Sequence, residues 1–313
     1  MKLEPVTDQN FSEDDYLIAN PDVGAAVERR DLVSGRQHFE LSGHREGRFQ
    51  RAPLIFFVHV PKAAGSAVNF HLMEHFPNGS AHCDGWFFDD ASMHLLDTLT
   101  WVSGHIPYLQ ASSRVRQFTG RRVEYFACLR NPTEQIGSHY NWLAEIFHRG
   151  GIWYNDTPDW VKEISEQIRK SGFSFQAIQE NLLKYNWLFL NYQSHFLVKS
   201  DKSAVVALDD FKFVSTTDQL TELLFAMIGK EIAVTRRENE SLSHFDRQLF
   251  CAAEMQSFLR EHNSRDEQLF ELVRSANKLC NPLEAASILQ PWWRRCGQAL
   301  AVQASRLTAT LAR

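Results

Sequence analysis

Residues 54–70 read LIFFVHVPKAAGSAVNF, an apolar run broken by a proline, a lysine and a cluster of small residues before helical spacing begins. The residue before a proline is pushed toward extended geometry, so Val60 ahead of Pro61 carries the strand up to the break. Val68, Leu72 and Phe76 then recur at helical spacing. Further apolar runs at Trp101–Ile106, Val123–Leu129 and Phe211–Ser215 alternate with helical stretches, which predicts an α/β fold with a central parallel sheet flanked by helices. The expected division is a small helical N-terminal module over 1–50, an α/β domain over 51–281 and an amphipathic C-terminal helix over 282–313 that includes Pro291, Trp292 and Trp293.

The N-terminal stretch is short, polar and punctuated. Asn20 before Pro21 predicts a capped helix start, Ser34 with Gln37 a capping box, and Gly43 the end of that second helix. The motifs Y-L-x-x-N-P-D-V, S-G-x-x-H-F and E-G-R resemble a small module found in bacterial surface-carbohydrate and secreted proteins, which implies a bacterial source. Composition narrows the rest. A net charge of -5 with basic residues only in scattered pairs argues against nucleic acid. No apolar run approaches the ~20 residues a membrane span needs. MKLEPVTDQN carries no secretory pattern, and five cysteines without a C-x-x-C pair suit a reducing compartment, so the expectation is cytoplasmic.

At the mouth of the first strand, Lys62, Ala63, Ala64, Gly65 and Ser66 offer a mobile cation and bare backbone at a helix start, where an anion is favoured. The Walker pattern places its lysine after a second glycine; here Lys62 precedes Gly65, which weakens a kinase or ATPase reading. VEYFACLRNPTEQIGSHYNWL repeats the logic: Arg130 at the strand end offers a planar donor fork, Asn131, Pro132 and Glu134 specify a helix start, and Ser138 lies away from the Ile136, Tyr140, Leu143 and Phe147 stripe. Together they describe a two-ended site for a nucleotide with two separated phosphates.

At these residues the chain resembles the sulfotransferases that use 3′-phosphoadenosine-5′-phosphosulfate (PAPS), in particular the heparan and uronyl 2-O-sulfotransferases of the carbohydrate branch. V-P-K-A-A-G-S is similar to the family's V-P-K-T-A-G-T loop, and L-R-N-P with Ser138 and Tyr140 to its R-D-P…S-x-Y element. Weaker similarity runs through Ser103-Gly104-His105, Asn191-Tyr192-Gln193 and Asn263 to Asp266. Ala63 and Ala67 stand where the family commonly has hydroxyls, and Asn131 replaces an aspartate. The resemblance implies a P-loop-like three-layer fold, PAPS bound by Lys62, Ala63, Ala64, Gly65, Ser66, Arg130 and Ser138, His105 as general base, Lys62 at the departing charge, a glycan or small-molecule hydroxyl as acceptor, and no metal. The alternatives are a nucleotide-dependent phosphotransferase and a non-catalytic module on a decayed transferase.

Other candidates carry less. His71 and His75 with His82 or Cys83 lack metalloprotease spacing and read as exposed histidines on a polar face. His59 reads as a core residue, Trp153, Trp160 and Trp187 as core packing, and Asn191 and Gln193 as helix-end polar groups or substrate contacts.

Overall fold

The computed structural model describes residues 2–149, 154–155, 157–200, 203–232 and 244–279. Its centre is a five-stranded, all-parallel sheet in the order β4-β5-β3-β6-β9, formed by β3 (Leu54–Val58), β4 (Gly79–Ser80), β5 (Trp101–Gly104), β6 (Val123–Leu129) and β9 (Phe211–Thr216). The fold is α/β, as expected. All five residues of β3 are buried, because it lies in the middle of the sheet with helices on its faces. The chain leaves β3 to build β4 and β5 on one side, then returns to lay β6 and β9 on the other. The crevice at the carboxyl end of β3 is therefore a topological switch point, where α/β sheets hold ligands.

Two predicted strand ends move. β3 stops at Val58 because the Val60 amide turns back onto the Val58 carbonyl at 3.1 Å, although the His59 amide still reaches Gly104 O at 3.0 Å. β5 stops at Gly104, short of Ile106. Gly79–Ser80, too short to carry an apolar signature, adds an edge strand against Trp101 and Val102. An antiparallel hairpin of β7 (Val198–Ser200) and β8 (Ser203–Val206) was also absent from the sequence reading.

The main core runs along both faces of the sheet, with Phe56, Phe57, Phe126 and Phe211 fully or nearly fully enclosed. A second core forms where helix Pro132–Arg149 meets helices Asp159–Ser171 and Phe175–Lys184, and Ile136, Tyr140 and Leu143 fill it as their spacing predicts. The Phe147 side chain lies outside those described. The stretch after 246 forms two helices, Ala253–His262 and Ser264–Leu279, and the expected C-terminal helix over 282–313 lies outside the described residues.

The N-terminal stretch is built from helices Glu13–Ala19 and Pro21–Glu28, a helical turn Gly35–His38, and a two-stranded sheet of β1 (Leu3–Pro5) and β2 (Phe49–Arg51). Ser34 Oγ accepts from the Gln37 amide at 3.1 Å, and the Gln37 side chain accepts from the Val33 amide at 2.7 Å, so the predicted reciprocal cap is present with its return bond one residue earlier. Asn20 begins the helix at Pro21 without a side-chain cap; its amide donates instead to the Tyr16 and Phe49 carbonyls. Gly43 does not end the second helix. The chain continues through Phe39–Gly43 to Glu46 and stops at Gly47, where φ is +64°. Gly43 serves a close approach, since a Cβ there would lie 2.2 Å from the Tyr16 hydroxyl. The fully buried Asp15 carboxylate receives Arg51 Nε at 2.7 Å and Arg122 Nε at 2.9 Å, tying this stretch to the start of β6.

Candidate functional site

Parallel pairing places Val58, Gly104 and Ala127 in one row across β5, β3 and β6. The residues that follow each strand therefore emerge at one edge: His59 from β3, His105 from β5 and Arg130 from β6. β4 ends two residues before His82 and adds a fourth side chain to the same edge.

The lysine loop occupies the middle. Lys62 and Ala64 both adopt left-handed backbone, at φ +67° and +61°, conformations that cost a residue with a Cβ about 1–2 kcal/mol each. The helix that follows, Gly65–His75, begins without a side-chain cap, and the Ala67 and Val68 amides both donate to the Ala64 carbonyl at 3.1 Å. Gly65 is demanded by packing: a Cβ there would lie 1.7 Å from His59 Nε2. Ala63 is fully buried, whereas Lys62, Ala64 and Ser66 are half-buried on the open side.

Arg130 reaches this loop from the neighbouring strand. Its Nη1 lies 3.5 Å from the Lys62 carbonyl, and Gln135 on the following helix donates to the Pro61 carbonyl at 3.0 Å. The predicted helix start is present: Asn131 Oδ1 accepts from the Glu134 amide at 3.2 Å and Pro132 opens the helix. The Glu134 side chain pairs with Arg130 Nε at 3.1 Å instead of closing the cap. Ser138 is half-buried roughly 9 Å along the axis from the helix start.

Gln193 holds the Arg130 backbone at both ends. Its amide oxygen accepts from Arg130 N at 2.8 Å and its amide nitrogen donates to Arg130 O at 2.9 Å. The buried Asp266 carboxylate in turn accepts from the Gln193 and Ser194 amides at 3.1 and 2.7 Å. Desolvation pushes the Asp266 carboxyl up to about 6, against the pull of those bonds. Asn191, in left-handed backbone at φ +55°, bonds to the His262 carbonyl and the Arg265 amide. Asn191 and Gln193 thus act as braces, and the weak similarities at 191–193 and 263–266 fall on one supporting network.

The other half of the edge is aromatic. The His59 and His105 rings lie 4.1 Å apart, with His82 5.8 and 5.7 Å from them. His105 Nδ1 donates to the His59 carbonyl at 3.0 Å, which leaves Nε2 as the lone-pair nitrogen. The His105 amide donates to Asp84 Oδ1 at 2.9 Å. His105 has an open side to solvent, but crowding on the sheet side lowers its pKa, with the His59 carbonyl and Asp84 pulling the other way. His59 is held well below the usual 6.5 by burial first and then by His105, His82 and Lys62. His139, fully buried on helix Pro132–Arg149, is pushed down to about 3 by the same desolvation, with Lys62 and His105 adding to it.

The structure thus gathers Lys62, Ala63, Ala64, Gly65, Ser66, His105 and Arg130 at one edge, and it corrects three sequence readings. His71 is buried, not exposed, and its carbonyl accepts from half-buried His75. Trp160 and Trp187 are 48% and 56% exposed with ring centroids 5.5 Å apart, so this pair is surface, not core; Trp153 lies outside the described residues. The grouping of His59 and His82 with His105 went unread, since it arises from strand register and leaves no local pattern. Two clefts lie away from this edge: one of about 560 Å³ beside Asp14, Arg51 and Phe118, and one of about 260 Å³ beside Trp187 and His262. No protein-family model matches the chain, and no curated protein matches it.

Proposed function

We propose that the protein is a sulfotransferase that moves a sulfuryl group from PAPS to a hydroxyl, in the carbohydrate class of acceptors. The observation that carries this reading is the meeting of two donor sets from separate strands, with Arg130 Nη1 3.5 Å from the Lys62 carbonyl and His105 on the next strand end. The donor set fits an anion: a lysine, a serine hydroxyl, uncapped helix amides and a guanidinium. Lys62, the backbone of Ala63, Ala64 and Gly65, and Ser66 would hold the phosphosulfate end, and Arg130 with Ser138 the 3′-phosphate. The bound donor supplies an activated sulfuryl group. His105 Nε2 accepts the proton of the attacking hydroxyl, a role worth about 10²–10⁴-fold in rate. Lys62 faces the charge left on the departing oxygen. The lowered His105 pKa keeps this nitrogen unprotonated at neutral pH, so turnover should fall on the acid side as His105 takes up a proton.

Thermal unfolding with 3′,5′-adenosine bisphosphate tests the reading, because a ligand at 100 times its Kd adds about 2.7 kcal/mol. The bisphosphate should raise Tm where magnesium-ATP does not. A shift with magnesium-ATP alone would point to phosphoryl transfer, and no shift with either to a non-catalytic module. His105→Ala should retain the bisphosphate shift and lose turnover against a glycan panel with labelled donor; unchanged turnover would remove His105 from the mechanism.

A further inference from the structure

We infer that His59, His82 and His105 form a binding site for one divalent transition-metal ion, zinc by preference, with a fourth position open to solvent. One ring nitrogen from each histidine lies within 4.8 Å of the other two. A tetrahedral ion bound at about 2.0–2.1 Å needs its ligand nitrogens about 3.3 Å apart, so closure asks for no more than roughly 1.5 Å of movement. His82 is exposed and sits at φ +54° after the short edge strand, where its side chain has room to supply that movement.

Two observations beyond proximity point to a ligand. His59 Nδ1 is buried and has no hydrogen-bond partner among the described residues, an unusual state for a polar atom in a packed interior. His105 donates Nδ1–H to the His59 carbonyl, the backbone contact that fixes the tautomer of metal-bound imidazoles and turns Nε2 outward as the ligand atom. The packing preserves this arrangement: Gly65 makes room for the His59 ring, and a Cβ on Gly104 would lie 2.8 Å from both Asp84 Oδ1 and Cys83 Sγ.

The charges facing the cluster divide. Lys62 opposes a cation, while Asp84, bonded to the His105 amide, favours one. Cys83, buried beside His82, is not among the three residues whose ligand atoms converge. Three neutral imidazoles and an open position suit zinc, and neither magnesium nor calcium, which require oxygen donors. Because His105 Nε2 would be a ligand, an ion held here withdraws the nitrogen assigned to proton transfer. Metal occupancy and base catalysis at His105 are then mutually exclusive, although the binding site itself does not depend on the sulfuryl-transfer reading.

The test is equilibrium dialysis of the chelator-treated full-length protein against zinc, with the visible spectrum of added cobalt as a second readout of coordination. Wild type should bind one ion per chain, and cobalt should give the spectrum of a four-coordinate site with three nitrogen ligands and one solvent oxygen. His82→Asn tolerates the left-handed backbone and should weaken binding about 100-fold or more, as should His105→Gln. His75→Gln, outside the cluster, should leave it unchanged. Zinc binding equally tight in wild type and His82→Asn, or absent from wild type, would overturn the site. Bisphosphate binding by metal-free His82→Asn reports separately on the nucleotide site.

Discussion

Two strand-to-helix turns lie side by side at the carboxyl edge of the sheet, and they solve the same geometric problem in opposite ways. The β3 turn carries two residues in left-handed backbone and opens its helix uncapped. The β6 turn opens with Asn131 and Pro132, and Gln193 grips the Arg130 backbone. One turn accepts left-handed strain and leaves its helix without a side-chain cap. The other satisfies its amides within the protein and offers a guanidinium. Under the proposed function, an anion would meet two chemically different grips, one made of backbone and the other of side chain.

The sharpest way to break this contrast is Arg130→Ala. Loss of charge-assisted bonds worth about 1.5–3 kcal/mol should weaken bisphosphate binding roughly 10–100-fold by calorimetry, with Arg130→Lys recovering part of it. Equal binding in wild type and Arg130→Ala would assign the β6 turn a structural role only.

The brace behind Arg130 predicts a pH effect. The Asp266 carboxyl titrates near 3.8 when unfolded and about 6 when folded, so its contribution is fully present below 3.8 and is lost as pH rises through 6. Asp266→Asn, which cannot ionise, should gain stability relative to wild type across that window by up to about 3 kcal/mol, and then hold a constant difference above it. Urea unfolding at a series of pH values measures this; a pH-independent difference would place the charge elsewhere.

Smaller effects separate the caps. Asn131→Ala should cost about 1 kcal/mol by the same unfolding measurement, through loss of the bond to the Glu134 amide. Ala64→Gly should be neutral or stabilising by under about 1 kcal/mol, because release of left-handed strain is partly offset by glycine's greater freedom when unfolded. A large destabilisation by Ala64→Gly would mean that the Ala64 methyl carries packing the strain argument omits.

The four longer strands of the central sheet were legible because each is an apolar run, ended in β3, β5 and β6 by proline, glycine or a charge, and the helix after Asn131 because its cap lies in adjacent residues. β4 was not: Gly79–Ser80 has no apolar pattern, and Gly79 is there because a Cβ would lie 2.0 Å from the Trp101 indole nitrogen. Lys62 and Arg130 could be read singly from local chemistry, yet their contact depends on β3 and β6 being neighbours, which no local spacing encodes. His59 appeared as an ordinary core residue, since only the pairing of Val58 with Gly104 sets its ring against His105. Gln193 has no sequence signature as a clamp, because its partner lies 63 positions away.

The doubly bridged Asp15 bears on any attempt to separate or exchange the first fifty residues. Cutting the chain after residue 50 would leave Arg51 and Arg122 facing each other without their shared counter-ion, and would sever β2 between Gln50 and Arg51. A transplant that succeeds must move this carboxylate and both guanidinium groups as one unit.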